Sequence, residues 1–195
     1  MTSSVYIIGG PGSGKSTLMD YLLDHQLGWS VGPEVEEFHA KRNKKNLVTL
    51  RGQRLHSEGK DLGVYLGVRR ESFPGTDALD RVTSPTAVEW LQQGDLPEVI
   101  IGEGTTLSTK NFMTELGRQT DLMVVHLYAS EETIRHRFQL RGSNQNDNFV
   151  SGAHTRARNL ATFMAGQCAE VASFNTDEWS PPEIAALIDF HLPGA

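Results

Sequence analysis

Residues 9–16 read GGPGSGKS, which fits the spacing G-x-x-x-x-G-K-[ST] without a gap. They follow the β-branched run at residues 5–8 and open a segment in which Leu18, Tyr21 and Leu22 recur at helical spacing. A strand that turns through glycines into a helix must lie in a sheet with that helix packed back on it, so the motif constrains architecture as well as chemistry. The glycines let backbone N–H groups curl around phosphate oxygens, and the helix N-terminus adds a favourable field. Lys15 then supplies positive charge to the β and γ phosphates, the Ser16 hydroxyl is placed for Mg²⁺, and Thr17 for the α phosphate. Gly9, Gly10, Pro11, Gly12, Ser13, Gly14, Lys15, Ser16 and Thr17 are therefore the expected ATP-binding residues, with Mg²⁺ beside them.

The alternation of strand and helix continues along the chain. EVIIGEG, LMVVHLYAS and VASFNT read as strands, and EETIRHRFQLRG as a helix started by Ser130 with Glu131 and Glu132 behind it. TRARNLATFMAGQCAEV reads as another helix, and PPEIAALIDFHL as a last one, its prolines in the first turn, where no intrahelical N–H is needed. The polar run GSNQNDNFVSGAH, residues 142–154, has the composition of a surface loop and is expected to form a mobile lid. Apolar residues are scattered through residues 29–80, and EVEEFHAKRNKKNLVTLRGQR is compatible with strand, hairpin or extended loop. The expected fold is a single α/β domain over residues 1–195: a three-layer sandwich with a central parallel sheet, right-handed crossovers and helices on both faces.

Composition narrows the setting. At 195 residues with 38% apolar side chains the chain is long enough for one real core. Its one cysteine, Cys168, excludes a disulfide framework and a cysteine-rich metal site, and is expected to be a small buried residue in a reducing compartment. No basic leader or membrane-length apolar run is present, so a soluble, cytoplasmic protein without membrane attachment is expected. The formal net charge is −6, yet nine of the 18 Lys and Arg residues fall in residues 41–70, against Glu58 and Asp61 alone. Such a stretch attracts phosphates locally whatever the average charge.

The loop binds a triphosphate but leaves the destination of the phosphate open. A GTPase would carry N-K-x-D and D-x-x-G patterns, and a motor-type ATPase an apolar run ending in paired acids; neither occurs. The helix RHRFQLRG and the polar run after it resemble the small nucleoside and nucleotide kinases, in which arginines close over the transferred phosphate and exclude water. Here the candidates are Arg135, Arg137, Arg141, Arg156 and Arg158, with Arg137 and Arg141 favoured because they share a face at i, i+4. Glu103, between two glycines at a strand end, is expected either near Mg²⁺ or beside the acceptor. Asp77 in FPGTDALD reads locally as a helix cap, as does Thr76. Glu34, Glu36 and Glu37 read as a solvated run, and His39, His126 and His154 lack metal-site spacing.

Four segments in order, GGPGSGKST, LGVRRESFPGTDAL, IIGEGTTL and LRGSNQNDNFVSGAHTRARNLA, resemble the 5-hydroxymethyluracil DNA kinases associated with phages. The resemblance implies ATP-dependent phosphorylation of the hydroxymethyl group of 5-hydroxymethyluracil in phage DNA, a step toward hypermodified thymidines that protect the genome from restriction. It turns Asp77 from cap to acceptor-site residue, with Arg69, Arg70 and Arg156 on the substrate. It also gives the basic stretch at residues 41–70 a DNA backbone to neutralise. The resemblance leaves open whether Asp77 or Glu103 meets the hydroxyl, and whether the base is flipped or read in its groove. Phe38, Tyr65, Phe73 and Trp90 are expected either to stack a base or to fill the core. A kinase of a free nucleotide, nucleoside or small metabolite is the alternative, and a non-enzymatic nucleotide switch a third reading.

Overall fold

The computed structural model describes residues 1–41, 47–70, 74–142, 145–167 and 169–193. Arg42, Lys44, Lys45, Phe73 and Cys168 lie outside the described residues, as does the side chain of Lys41.

Seven strands form one sheet: β1 (Ser3–Gly9), β2 (Ser30–Lys41), β3 (Leu47–Ser57), β4 (Lys60–Leu66), β5 (Val99–Glu103), β6 (Asp121–Tyr128) and β7 (Glu170–Asn175), in the spatial order β2-β3-β4-β5-β1-β6-β7. The block from β4 to β7 is parallel, as the strand–helix alternation requires, whereas β2, β3 and β4 form an antiparallel meander. The helices are α1 (Lys15–Tyr21), α2 (Ser84–Leu91), α3 (Lys110–Gln119), α4 (Glu131–Leu140), α5 (Asp147–Ala165) and α6 (Pro181–Asp189). Strand β1 shows how the layers arise: Val5 and Ile7 face a core shared with α1 and α6, while Tyr6 and Ile8 face one shared with α2, α3 and α5. None of the helices is long and apolar enough to cross a membrane, among the described residues.

Two expectations change. The run at residues 142–154 is mostly helix: Asn146 caps α5, its side chain accepting from the N–H groups of Asn148 and Phe149 at 2.9 and 3.4 Å. The apolar side, Val150, Ala153, Ala157 and Leu160, recurs at helical spacing but begins sparsely, because the first turns are exposed. The ambiguous region at residues 29–80 supplies the three strands of the meander, β2, β3 and β4, and the 3₁₀ turn Thr76–Ala78. Its apolar residues look scattered because β3 serves both faces, Leu50 entering one core and Leu55 the other.

The pairing also gives the meander a shape. The last β3–β4 pair is Gly52 with Leu66, but β2 and β3 remain paired to Lys41 and Leu47. The paired arm therefore runs about five residues past the end of β4, roughly 17 Å, on the side where the parallel strands end. Val48 and Leu50 anchor it, both buried, and Phe38 packs on the core that holds Leu79 and Trp90.

Candidate functional site

The loop after β1 closes on itself as a cradle. Gly12 and Gly14 take positive φ values of 78° and 94°, which a residue with a Cβ adopts only under strain. The Lys15 ammonium, half-buried, donates to the Gly10 carbonyl at 3.2 Å, and burial lowers its pKa against the raising pull of Glu103 and Asp77. The buried Ser13 hydroxyl has no hydrogen-bond partner among the described residues, an unmet demand that a phosphate oxygen at this loop would satisfy.

Three side chains missed by sequence reasoning back the cradle. His154 of α5 lies against Gly10, where an added Cβ would strike its ring, and its Nε2 donates to the Pro11 carbonyl at 3.0 Å. Ile134 and Phe138 of α4 pack closely on Gly12, where an added Cβ would come within 3.2 Å of each. These contacts join segments far apart in the chain and left no local signal. Beyond them, α4 and α5 enclose a cleft of about 670 Å³ that includes His126, Tyr128, Arg135 and Arg158.

A smaller cavity of about 340 Å³ opens beside α1, lined among others by Leu127, Arg137, Arg141, Thr176 and Trp179. Arg137 and Arg141 do share this face, but their roles diverge. Arg137 donates from Nη1 to the Gly12 carbonyl at 2.8 Å and to Thr176 Oγ1 at 2.9 Å, and from Nη2 to the Thr176 carbonyl at 3.2 Å. These bonds tie it to the cradle backbone and to the residue that follows β7. Arg141 is exposed, and close enough to Lys15 to lower its pKa. Arg156 stands exposed on α5, its guanidinium beside Gly152, and Arg135 pairs with Glu131 at 3.1 Å.

Opposite Lys15, the ends of β4 and β5 bring the acids in. Glu103 is only 2% exposed; its Oε2 accepts from the Ser16 hydroxyl at 3.3 Å and its Oε1 from the Tyr65 hydroxyl at 3.5 Å. Burial pushes the Glu103 pKa up to about 7, with Lys15 and the Ser16 hydrogen bond pulling the other way. Asp77 does not cap the short 3₁₀ turn Thr76–Ala78, whose N-cap is Gly75. Its Oδ1 instead accepts from the Thr105 N–H at 2.6 Å, the Thr105 hydroxyl at 2.8 Å and the Thr106 N–H at 3.2 Å. Thr76 donates to the Glu103 carbonyl at 2.8 Å and meets the Tyr6 hydroxyl at 3.0 Å. Gly104, at φ 109°, leaves no room for a Cβ against Thr76 and Asp77. The residues Gly75, Thr76 and Asp77 and the segment IIGEG, separate in sequence, are thus one interlocked unit.

Among the described residues of the basic stretch, three arginines are paired with acids. Arg51 pairs with Glu34, Arg54 with Glu37 and Asp61, and Arg69 with Asp20 and Asp24. Glu34 and Glu37 thus face arginines across β2 and β3, and burial raises the pKa of Glu37 in spite of Arg54. Lys60 opens β4, at the end of the sheet away from Glu103. Arg70 is exposed and already has a partner. Of the aromatic candidates, Trp90 and Tyr65 are buried in the two cores and Phe38 is partly so.

The family model described as P-loop Nucleotide Kinase3 matches residues 1–191. No curated protein sequence matches the chain. Among solved structures, the YorR protein of Bacillus subtilis in complex with phosphorylated GDP is similar at 17% identity and a TM-score of 0.52, over 96% of this chain and 94% of that one. Shikimate kinase from Acinetobacter baumannii in complex with shikimate follows at 13% identity and 0.43, over 96% and 91%. An unliganded sugar kinase from Janibacter sp. stands at 15% and 0.43, over 98% and 94%. At these identities the likeness is one of fold.

Proposed function

We propose that this chain, which belongs to the P-loop Nucleotide Kinase3 family, transfers the terminal phosphoryl group of ATP to a primary alcohol, the hydroxymethyl group of 5-hydroxymethyluracil in DNA. The observation that carries the transfer reading is the convergence of Lys15, Ser16, Glu103 and the Asp77 clamp at the carboxyl ends of β1, β4 and β5. In an open α/β sheet that is where ligands bind.

The cradle N–H groups, Lys15 and Ser13 hold the phosphates, and the cavity beside Arg137 and Trp179 receives the base. Ser16 and Glu103 offer hard oxygen donors of the kind Mg²⁺ takes, directly or through water; when bound, the ion neutralises charge on the phosphates. Only two protein donors suit an ion held largely by substrate and water, and among the described residues no group of three or more His, Cys, Asp or Glu forms a cage. Glu103, whose carboxyl is brought by burial to titrate at about 7, orients the alcohol or, in its ionised form, takes its proton. Arg141 adds positive charge on the donor side, and buried Tyr65 holds the Glu103 carboxylate in place.

The DNA acceptor rests on the resemblance of FPGTDAL and its neighbouring segments and on the paired arm of β2 and β3, whose strand ends flank the sequence Arg42, Lys44 and Lys45. The ion pairs of Arg51, Arg54 and Arg69 remove those side chains from the backbone-neutralising set, so the arm's end carries that role. The same pairs favour the second reading, a small free acceptor. Radiolabelled ATP is offered with duplex DNA containing 5-hydroxymethyluracil, with matched thymine DNA, and with free nucleosides, nucleotides and small alcohols. Label in the modified DNA alone is expected; label only in free compounds overturns the DNA acceptor, and label in none overturns the kinase reading.

A further inference from the structure

Arg69 joins the two sides of the crevice in a way neither the motif nor the resemblance implies. It stands three residues after the end of β4, at the start of the connection that leads to Asp77. Its Nη1 and Nη2 donate to the two oxygens of Asp24, each at 2.7 Å, and Nη2 also to Asp20 Oδ1 at 2.9 Å. Asp20 belongs to α1, the helix that opens with Lys15, and Asp24 to the π-helical turn Leu22–Gln26 that continues it. A planar guanidinium across both carboxylate oxygens fixes direction as well as charge, which a lysine in its place would not.

The backbone around Arg69 is held as well. Its N–H donates to Gln53 Oε1 of β3 at 2.6 Å, and Val68 and Gly75 form a two-bond bridge at 3.2 and 2.9 Å. Two residues beyond that bridge, Asp77 grips the backbone after Glu103. A continuous set of contacts therefore runs from the helix of Lys15 through Arg69 and the Val68–Gly75 bridge to Asp77 and Glu103.

We propose that Arg69 is a positioning residue: its forked pair with Asp24 and Asp20 sets the Asp77 segment against α1, so that the phosphate-holding and alcohol-holding groups keep one spacing. This deepens the kinase reading and rests on it. Contact with a substrate phosphate, the role implied by the resemblance, would require Arg69 to leave three charge-assisted hydrogen bonds and uncover two carboxylates toward an anion.

The test compares Arg69→Glu, Asp24→Arg and the double variant, which restores opposite charges with their places exchanged. A misplacement of about 1 Å costs on the order of a hundredfold in rate. Each single variant is therefore expected to lose about ten- to a hundredfold in kcat/KM for the acceptor, with KM for ATP little changed, and the double to recover most of it. A double variant as poor as Arg69→Glu would overturn the proposal, since a phosphate contact is not restored by reversing its charge. Hydrogen exchange of the amides at residues 75–80, measured without substrate, decides the matter independently of turnover. Faster exchange in both single variants and recovery in the double is expected, and unchanged exchange in the single variants overturns the proposal. Should the wild-type protein phosphorylate none of the acceptors above, the kinase reading fails, while the exchange result still settles the role of Arg69.

Discussion

The two sides of the crevice are built in opposite ways. The donor side is one continuous segment, residues 9–17, whose conformation follows from local glycine chemistry and from the helix it opens. The proposed acceptor side is assembled from Tyr65, Asp77, Thr105 and Glu103, drawn from β4, the 3₁₀ turn and the end of β5, and held by side chains gripping one another and the backbone. A continuous site fails when one group is removed. A discontinuous one loosens by degrees, and the difference can be measured.

The largest effect is expected on the donor side. Lys15→Ala should lower kcat/KM by about 10³-fold with every acceptor, because it removes the charge facing the transferred group. Activity within tenfold of wild type would show that the cradle binds without serving transfer.

Glu103→Gln separates chemistry from stability. Turnover should fall by about 10²-fold through loss of the ionisable oxygen, measured by single-turnover kinetics. Stability should move the other way at high pH. The Glu103 pKa rises from 4.5 in the unfolded chain to about 7 in the folded one, so the native state binds the proton more tightly. This carboxyl's contribution is fully favourable below pH 4.5 and is lost as pH rises through about 7, costing about 3 kcal/mol at most, at roughly 1.4 kcal/mol per pH unit. Denaturant unfolding without nucleotide should show the variant gaining on wild type between pH 5 and 8. Parallel pH curves would mean that Glu103 titrates normally.

Asp77 sharpens the contrast further. Asp77→Ala strips the acceptor from the Thr105 and Thr106 amides and should cost about 2 kcal/mol of acceptor binding, seen in KM, whereas Asp77→Asn keeps an oxygen at the same place. An Asn variant as impaired as Ala would make Asp77 the base and not the clamp.

Arg137→Ala should weaken ATP binding by about 1 to 2 kcal/mol through the freed Gly12 carbonyl, with transfer from bound ATP unchanged. Rapid-quench measurement at saturating ATP checks it, and a slower chemical step would return Arg137 to the transferred phosphate. The smallest effect belongs to the arm. Neutralising Lys41, Arg42, Lys44 and Lys45 should flatten the salt dependence of DNA phosphorylation and leave small acceptors untouched; an unaltered salt slope would place DNA elsewhere.

Much of the fold was legible because it follows periodicity. The strands around VIIGE and LMVVHLY, the Ser130 cap and the proline-led last helix all stand where the local pattern put them. Residues 142–154 misled, since a helix whose first turns face solvent has the composition of a loop; the Asn146 and Asp147 start was the signal that could have found it. Asp20 and Asp24 carried a spacing of four on the first helix, but nothing local named Arg69 as their partner. Tyr65 was readable as a base-stacking or core aromatic but not as the partner of Glu103, and the roles of His154, Thr176 and Trp179 left no signal, for each acts through a contact that only the packed sheet creates.

The sequence by itself determined the phosphate cradle and the alternating α/β order, because both depend on neighbours within a few residues: φ freedom at Gly12 and Gly14, and apolar spacing along each element. Only the tertiary structure decided that Asp77 clamps the loop after Glu103 instead of capping a helix, that Arg137 braces the cradle, and that most described arginines of the basic stretch answer to the protein's own acids. Those outcomes turn on which carboxylate or carbonyl stands within about 3 Å once the sheet is formed.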